Sequence, residues 1–142
     1  MSNQTIVVAG VILRDEQGRY LLVQERQEKA HGQWNIPAGW AEISETPQRA
    51  AIRETKEEVG LTVEITDSSP LHSERHPEKA RIYYAFMGKV IGGELSVAGD
   101  ELLNAKWLSF PEIEVLQRDG KIRAEWVMTA LAKAEQHAHH RD

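Results

Sequence analysis

Apolar and β-branched residues occur in short runs along the first part of the chain. Ile6–Leu13 and residues 20–24 are two such runs, and the polar residues 14–19, with a glycine near their end, join them. This pattern predicts two strands paired as a β-hairpin. A polar loop over residues 25–33 then leads to a short predicted strand at residues 34–36.

A helix with marked ends follows a predicted turn at residues 37–39. Thr46 is a residue type that caps helix N-termini, and Pro47 suits the first helical position because its missing N–H is not needed there. Gly60 stands where a left-handed C-terminal cap belongs. The sequence therefore predicts a helix over residues 47–59. An apolar stripe is expected to face the core while the charged residues project elsewhere: Ala51, Ile52, Thr55 and Val59 against Arg53, Glu54, Glu57 and Glu58.

The rest of the chain adds three strands and one helix. Strands are predicted at residues 61–66, 80–91 and 105–108, and the helix at residues 121–136. The polar segment between the first two of these strands is expected to be a loop that contains His72, Arg75, His76 and Pro77. Together the elements predict a single domain over residues 1–142 with an α/β (α+β) fold, in which a mixed β-sheet is sandwiched between α-helices.

Tryptophan and histidine side chains give weaker signals. Trp34 lies beside Ile36 on a short strand, which favours a place in the core over stacking on a nucleobase. Trp107 and Trp126 are also expected in the core. The histidines near the C-terminus are expected to form a frayed tail and not a metal site: His137, His139 and His140.

Composition narrows the chemistry that these elements can carry. The 142 residues, 41% hydrophobic and 27% charged, are typical of a folded globular domain. Cysteine is absent, which excludes disulfides, thiolate zinc sites and cysteine nucleophiles and leaves oxygen and imidazole as metal ligands. A formal net charge of −5 argues against non-specific nucleic-acid binding. The apolar runs are too short for a membrane helix and no basic-then-apolar signal opens the chain, so a cytoplasmic location without a membrane partner is expected.

Three carboxylates on the predicted helix share one face. Glu54, Glu57 and Glu58 are related by i+3 and i+4 spacings, so their side chains can meet at one point. A solvated charged face is the plain alternative. Two details argue against it. Glu54 and Glu58 are like charges that repel each other at i, i+4. Glu57 and Glu58 also lie in the last turn, at the negative end of the helix dipole, where acidic side chains are unfavourable. A divalent cation bound by these carboxylates would remove their mutual repulsion. Clustered oxygen ligands favour magnesium or manganese, and these ions commonly act on phosphate substrates.

The segment around these glutamates resembles the Nudix box of the Nudix hydrolases. The matching positions lie within 23 residues, about a sixth of the chain, and are Gly39, Glu45, Arg53, Glu54, Glu57, Glu58, Gly60 and Leu61. Thr55 departs from the box, which usually has an aliphatic residue there, so altered packing is expected without loss of metal binding. Pro77, sixteen residues after Leu61, and the entry Pro37-Ala38-Gly39 are similar to the ADP-ribose and nucleotide-sugar pyrophosphatases of this MutT-like family.

By position, the resemblance implies roles for individual residues. The metal ligands would be Glu54, Glu57, Glu58 and the backbone carbonyl of Ala38. Arg53 would hold a glutamate in place, with its i, i+4 neighbour Glu57 as the expected partner. Glu45 would contribute to the metal site directly or through water. Gly39 and Gly60 would permit the loop bend and the helix stop.

Hydrolysis also needs a base and groups that bind phosphate. In the family the base often comes from a loop outside the box, and Glu101, in the pair Asp100-Glu101, is the preferred candidate, with Glu54 as the alternative. Arginine's planar fork matches phosphate oxygens, so basic side chains near the predicted loop are candidates for binding the substrate. They are Arg75, His76 and Arg81, for each of which an exposed surface role is the alternative.

These observations predict a hydrolase that uses Mg²⁺ or Mn²⁺ to cleave a phosphoanhydride bond in a nucleoside diphosphate linked to another moiety. ADP-ribose, another nucleotide sugar, a dinucleoside polyphosphate and a nucleoside triphosphate all remain candidate substrates, because specificity lies outside the box. The alternatives are a nucleotide-sensing module that does not cut its ligand and a structural helix that binds a divalent cation. The sequence leaves the oligomeric state open, with a homodimer as the candidate assembly because dimers are the commonest oligomers.

Overall fold

The computed structural model describes residues 4–140, and this part of the chain contains eight strands and three α-helices. The strands are β1 (Ile6–Leu13), β2 (Tyr20–Glu25), β3 (Trp34–Asn35), β4 (Ala38–Trp40), β5 (Leu61–Ile65), β6 (His72–Arg75), β7 (Arg81–Gly93) and β8 (Leu102–Leu108). The helices are α1 (Pro47–Val59), α2 (Phe110–Arg118) and α3 (Glu125–His140), and a 3-10 turn at Glu28–Ala30 follows β2. None of the helices described is long and apolar enough to cross a membrane.

Two sheets form the centre of the molecule. The larger has the strand order β4-β1-β7-β5, with β6 also paired to β7, and the smaller has the order β3-β2-β8. β1 runs parallel to β7 and antiparallel to β4, so the larger sheet is mixed. α1 packs on one face of this sheet and α3 on the other, and each contact encloses a separate hydrophobic cluster. The predicted fold class, a mixed sheet between helices, is confirmed.

The predicted β-hairpin between β1 and β2 is wrong. The two strands belong to different sheets, and an isolated bridge between Arg14 and Tyr20 is what remains of the pairing. β1 is buried at every position from Val8 to Leu13, and its two edges are paired with β4 and β7. The central part of the edge that β2 would need, Val8–Gly10, is therefore occupied by β4. Continuous burial of this kind is typical of a central strand in a sheet covered on both faces.

Two segments predicted as turn or loop contain strands. Residues 37–39 do not form a turn, because Ala38 and Gly39 pair with Gly10 and Ala9 at the free edge of β1. The polar segment before β7 contains β6, which pairs with β7 over four residues. In both places backbone pairing with an available strand edge outweighs the local sequence signal.

The first helix agrees with its prediction at both ends. The Thr46 side chain accepts a hydrogen bond from the Arg49 N–H, and Gly60 adopts a left-handed φ of 75°. The second helix, α2, was not predicted, although it begins with a capping box. The Ser109 hydroxyl accepts from the Glu112 N–H at 3.3 Å, and the Glu112 carboxylate accepts from the Ser109 N–H at 2.9 Å.

The last helix differs from its prediction at both ends. α3 begins at Glu125 and continues to His140, so the histidine tail expected to fray is helical. His139 Nε2 lies 3.0 Å from a Glu135 oxygen one turn earlier. The core positions of the tryptophans are as expected, with Trp34 and Trp126 buried and Trp107 partly buried against the α1 cluster.

Thr55, which departs from the Nudix box pattern, is fully buried where α1 meets the sheet. Its hydroxyl donates to the Ala51 carbonyl at 2.7 Å, so its polar atom is satisfied within the helix. We expect Thr55→Val to change the free energy of unfolding by less than about 1 kcal/mol, because the shape is kept and the carbonyl retains its helical N–H. Urea unfolding measures this change, and a loss above about 3 kcal/mol would show that the hydroxyl has a larger structural role.

Candidate active site

A cleft lies where the edge strand β4, the end of β2 and the start of α3 meet. Its volume is about 430 Å³. Four acidic side chains line it: Glu25, Glu58, Asp100 and Glu101. Three arginines line it as well: Arg26, Arg81 and Arg123. Within residues 4–140 none of these arginines forms an ion pair, so the opposite charges of the cleft do not neutralise one another in direct contacts.

The three glutamates of α1 differ in exposure. Glu58 is buried, with 7% of its surface exposed, whereas the side chain of Glu54 is 16% and that of Glu57 is 56% exposed. The expectation that Glu58 projects away from the packed face is wrong, because its side chain is buried and its carboxylate lies near the Ala38 backbone N–H of β4. The i, i+4 pair Glu54 and Glu58 therefore faces inward, while Glu57 faces solvent.

Arg53 is the centre of a hydrogen-bond network around these glutamates. Its Nε and Nη2 donate to the two Glu45 oxygens at 2.7 and 2.9 Å, and its Nη1 donates to Glu54 at 3.0 Å. Nη1 also lies 3.3 Å from each Glu57 oxygen. Glu57 is thus a contact of Arg53, but the expectation that it is the main partner is wrong. The main partner is Glu45, just before the helix, whose two carboxylate oxygens form a bidentate pair with the Arg53 guanidinium.

The carboxylates of this network have shifted pKa values. The hydrogen bond from Arg53 lowers the pKa of Glu45 to about 2. Burial raises the pKa of Glu58 well above its usual value, and the charges of Glu54 and Glu25 raise it further. Burial also raises the pKa of Glu54, against the opposing effect of Arg53. A buried carboxylate of this kind is unfavourable in its charged form unless a cation accompanies it.

Gly39 leaves the space that the Glu54 carboxylate occupies. A Cβ atom added at Gly39 would overlap the Glu54 carboxylate atoms. Gly39 pairs with Ala9 in the sheet and its φ is not positive, so the glycine serves close approach and not an unusual backbone conformation. The bend expected at this glycine is absent.

The loop before β8 brings Glu101 to the α1 glutamates. The Ala98 N–H donates to the Glu58 carbonyl at 3.0 Å, which satisfies an orphan acceptor at the helix C-terminus. The Glu101 carbonyl accepts from the Arg26 N–H at 3.1 Å, which ties the loop to the end of β2. These backbone bonds hold Glu101 close enough to raise the pKa of Glu58.

Comparison with known proteins gives one consistent family. The family model described as the NUDIX domain matches residues 4–130 of the chain. The chain belongs to the Nudix family. The resemblance found in the sequence is thereby confirmed, as is the enzyme class, a Nudix hydrolase.

Individual relatives agree with this assignment. A MutT-like protein of Streptomyces ambofaciens is 30% identical over 138 residues, which cover 97% of this chain and 84% of that protein. An ADP-ribose pyrophosphatase of Methanocaldococcus jannaschii is 32% identical over 116 residues, or 80% of this chain and 67% of that protein. A nudix hydrolase of Caenorhabditis elegans is 32% identical over 115 residues, but the chain spans 31% of its length. The crystal structure of a NUDIX hydrolase from Nitrosomonas europaea has a TM-score of 0.84 at 25% identity, covering 99% of this chain and 75% of that one.

The Nudix box offers carboxylate and carbonyl oxygens, which are the ligand type that hard divalent cations such as Mg²⁺ prefer. The Glu54 carboxylate lies against Gly39 and the Glu58 carboxylate near the Ala38 backbone, and Glu58 has no basic side chain paired with it in the part of the chain described. The predicted meeting of all three glutamates at one point is not found. Across residues 4–140 no three His, Asp or Glu side chains are gathered as a ready metal site, since Arg53 Nη1 lies between Glu54 and Glu57.

The candidate substrate-binding residues separate into two groups. Arg81 lines the cleft, whereas Arg75 and His76 do not. Arg75 pairs with Ile82, so its side chain lies on the opposite face of the sheet from that of Arg81. His76 Nδ1 accepts the N–H groups of Glu78 and Lys79, at 3.1 and 3.0 Å, and so stabilises the turn before β7.

Several residues of the Nudix cleft were missed by sequence reasoning: Glu25, Arg26, Trp40, Tyr83 and Arg123. A local signal existed for the pair at the end of β2, where two charged residues follow an apolar run after a single glutamine. A register shift between Gln24 and Glu25 in the β2–β8 ladder then places Glu25 opposite Leu102, next to the loop that carries Glu101. No local signal connects Arg123, which precedes α3, with residues of β4 and β7.

Proposed function

We propose that this Nudix hydrolase is a pyrophosphohydrolase that depends on Mg²⁺ or Mn²⁺ and cleaves a nucleoside diphosphate linked to another moiety. Water attacks phosphorus, and a nucleoside monophosphate and a phosphorylated product leave. The observation that carries the proposal is the buried Glu58 carboxylate, which lies at a cleft large enough for a nucleotide and lacks a basic partner in the described chain. The archaeal relative, an ADP-ribose pyrophosphatase, makes ADP-ribose the first candidate substrate.

The proposed metal ligands are the glutamates of α1 and one backbone oxygen: Glu54, Glu57, Glu58 and the Ala38 carbonyl. For Glu57 this requires its exposed side chain to turn from Arg53 toward the ion. A divalent ion bound there supplies Lewis acidity, which neutralises phosphate charge and lowers the pKa of a bound water. The bidentate bonds from Arg53 to Glu45 and its bond to Glu54 keep the guanidinium fixed beside the ligands. In this proposal Arg53 is a positioning residue.

Two further residues act directly on water and substrate. Glu101, which lines the cleft beside Glu58, accepts the proton of the attacking water. Glu54 is the alternative base, although its bond to Arg53 favours the ligand role. Arg81 donates to the non-bridging oxygens of the substrate diphosphate and so orients it in the cleft. The positions of Glu101 and Arg81 in the lining of this cleft support these two roles.

Hydrolysis of a substrate panel tests the proposal. The panel contains ADP-ribose, a second nucleotide sugar, a dinucleoside polyphosphate and 8-oxo-dGTP. We expect at least one of them to be cleaved at least about 1,000-fold faster with about 5 mM Mg²⁺ than with EDTA. Product separation with ¹⁸O-labelled water identifies the bond broken and the phosphorus attacked. Binding of nucleotides without turnover of any compound would instead support a nucleotide-sensing module, and metal binding with neither would support a structural cation site.

A further inference from the structure

Trp40 connects the two charged sides of the cleft. Its backbone carbonyl accepts a hydrogen bond from Arg53 Nη2 at 3.0 Å, on the side of the box glutamates. Its ring lies under the Arg81 guanidinium, whose Cζ is 5.5 Å from the ring centroid. Trp40 is 57% exposed, so hydrophobic burial is not the main reason for its position. Trp40 thus contacts one arginine through its backbone and the other through its side chain.

The strand register explains how the two side chains meet. Val8 of β1 pairs with Trp40 on one side and with Tyr83 on the other, so the three side chains share one face of the sheet. Arg81 lies two residues before Tyr83 and therefore points to the same face. Its side chain crosses β1 to reach the Trp40 ring on β4.

The Arg81 guanidinium has a donor without an acceptor. Its Nε is buried and makes no hydrogen bond to any of residues 4–140. A buried donor left unpaired is unfavourable, and such groups are rare in folded proteins unless a ligand or water completes them. Stacking on Trp40 uses the flat face of the guanidinium. Its two terminal Nη atoms also form no hydrogen bond within residues 4–140 and, unlike Nε, are not enclosed, so they can donate to an acceptor in the cleft. The pair therefore holds an oriented, incomplete anion-binding group in the cleft.

We propose that Trp40 is a positioning residue. It holds the Arg81 guanidinium so that Arg81 binds one phosphoryl group of the substrate, while the box glutamates take the adjacent phosphoryl group. This inference rests on the proposed function, which places the other phosphoryl group near Ala38. Ala38 and Trp40 are two residues apart on one face of β4, a distance of roughly 7 Å. Ala38, Trp40 and Arg81 line one cleft, so a group held at the box and a group held by Arg81 can be the two phosphoryl groups of a single diphosphate, which a monophosphate cannot supply.

Binding of Mg²⁺-ADP and of AMP, measured by calorimetry, separates this role from a packing role. We expect wild type to prefer Mg²⁺-ADP, and Trp40→Leu and Arg81→Met each to weaken Mg²⁺-ADP binding at least about 10-fold with AMP affinity unchanged. Trp40→Phe keeps a flat ring and is expected to stay within about 3-fold of wild type. The double variant is expected to be no weaker than Arg81→Met alone, because one residue acts through the other.

Arg118→Met, on α2 and outside the cleft, removes the same charge and is the matched control, expected to bind both nucleotides as wild type does. With a panel compound that is cleaved, Trp40→Leu should raise KM while leaving kcat within about 3-fold. Equal binding of ADP and AMP by wild type, an unaffected Trp40→Leu, or additive losses in the double variant would each overturn the inference. If a panel compound is cleaved but the Trp40 and Arg81 variants bind and react as wild type does, this inference is refuted and the hydrolase proposal stands. If the variants change nucleotide binding as expected but no compound is cleaved, this inference is supported and the hydrolase proposal is refuted.

Discussion

Replacing Glu58 by glutamine is expected to reduce Mg²⁺-dependent turnover by at least about 1,000-fold while making the metal-free protein more stable. The loss of turnover follows from removing a charged oxygen donor from the box. The gain in stability follows from burial, since 7% of Glu58 is exposed and its neighbours are Glu54 and Glu25. Neutral glutamine keeps the shape and the Ala38 contact, so the fold is retained.

The stability effect has a defined pH dependence. The pKa of Glu58 is raised above its usual value of 4.5 in the folded chain. Its contribution to stability is therefore fully present below pH 4.5 and is lost as the pH rises through the folded-state value. In EDTA, thermal unfolding of wild type should therefore show a loss of stability relative to Glu58→Gln as the pH rises above about 4.5, where the unfolded chain ionises and the buried carboxylate resists ionisation.

Two control variants isolate the cause. Glu57 is exposed, so Glu57→Gln should lower turnover by orders of magnitude with little change in metal-free stability. Glu114, on α2 and outside the cleft, gives a matched substitution that should change neither quantity. Wild-type turnover in Glu57→Gln or Glu58→Gln would exclude the proposed ligand role, and a less stable metal-free Glu58→Gln would exclude the strain assigned to its burial.

Substitution of Gly39 by alanine is expected to lower turnover at least about 100-fold with only a modest change in stability. The new Cβ would occupy the position of the Glu54 carboxylate, which must then move away from β4. A displacement of about 1 Å in a reacting group commonly costs a factor of this size. Alanine is compatible with the backbone of β4, because Gly39 has an extended strand conformation.

Gly92, a strand glycine of β7, is the matched control for this change. A Cβ there would approach only the Thr62 Cβ, at 3.8 Å, which is ordinary van der Waals contact. Gly92→Ala should therefore leave turnover unchanged, and metal affinity measured by Mn²⁺ titration should fall in Gly39→Ala alone. Full activity in Gly39→Ala would mean that the position of the Glu54 carboxylate does not matter for the reaction.

Elements whose signals are local were predictable from the sequence. The α1 helix is found at the residues predicted for it, because its caps at Thr46 and Gly60 are determined by neighbouring residues. Strand β1 was also located correctly, but its partners were not. A strand with two free edges can pair with any other, and only the whole sheet decides between a hairpin with β2 and the pairing with β4 and β7 that is found.

The candidate site shows the same limit. The box glutamates were recognisable from i, i+3 and i+4 spacing, but their unequal burial depends on β4, which was expected to be a turn. The arrival of Glu25 at the site depends on a register shift in the β2–β8 ladder. The stacking of Arg81 on Trp40 depends on a register across three strands. Spacing along the chain carries no information about such long-range contacts.

The parallel pairing of β1 with β7 has a consequence for folding during synthesis. Ile6 pairs with Arg81, 75 residues further along the chain, so the central ladder cannot form until most of the polypeptide has been made. Contacts this distant in sequence slow folding, because a large loop must close before they stabilise anything. A nascent chain that ends after α1 would contain every glutamate of the Nudix box and still lack a cleft. The 23-residue segment that identifies the family is therefore not an independent functional unit, and excised as a peptide it should be catalytically inert.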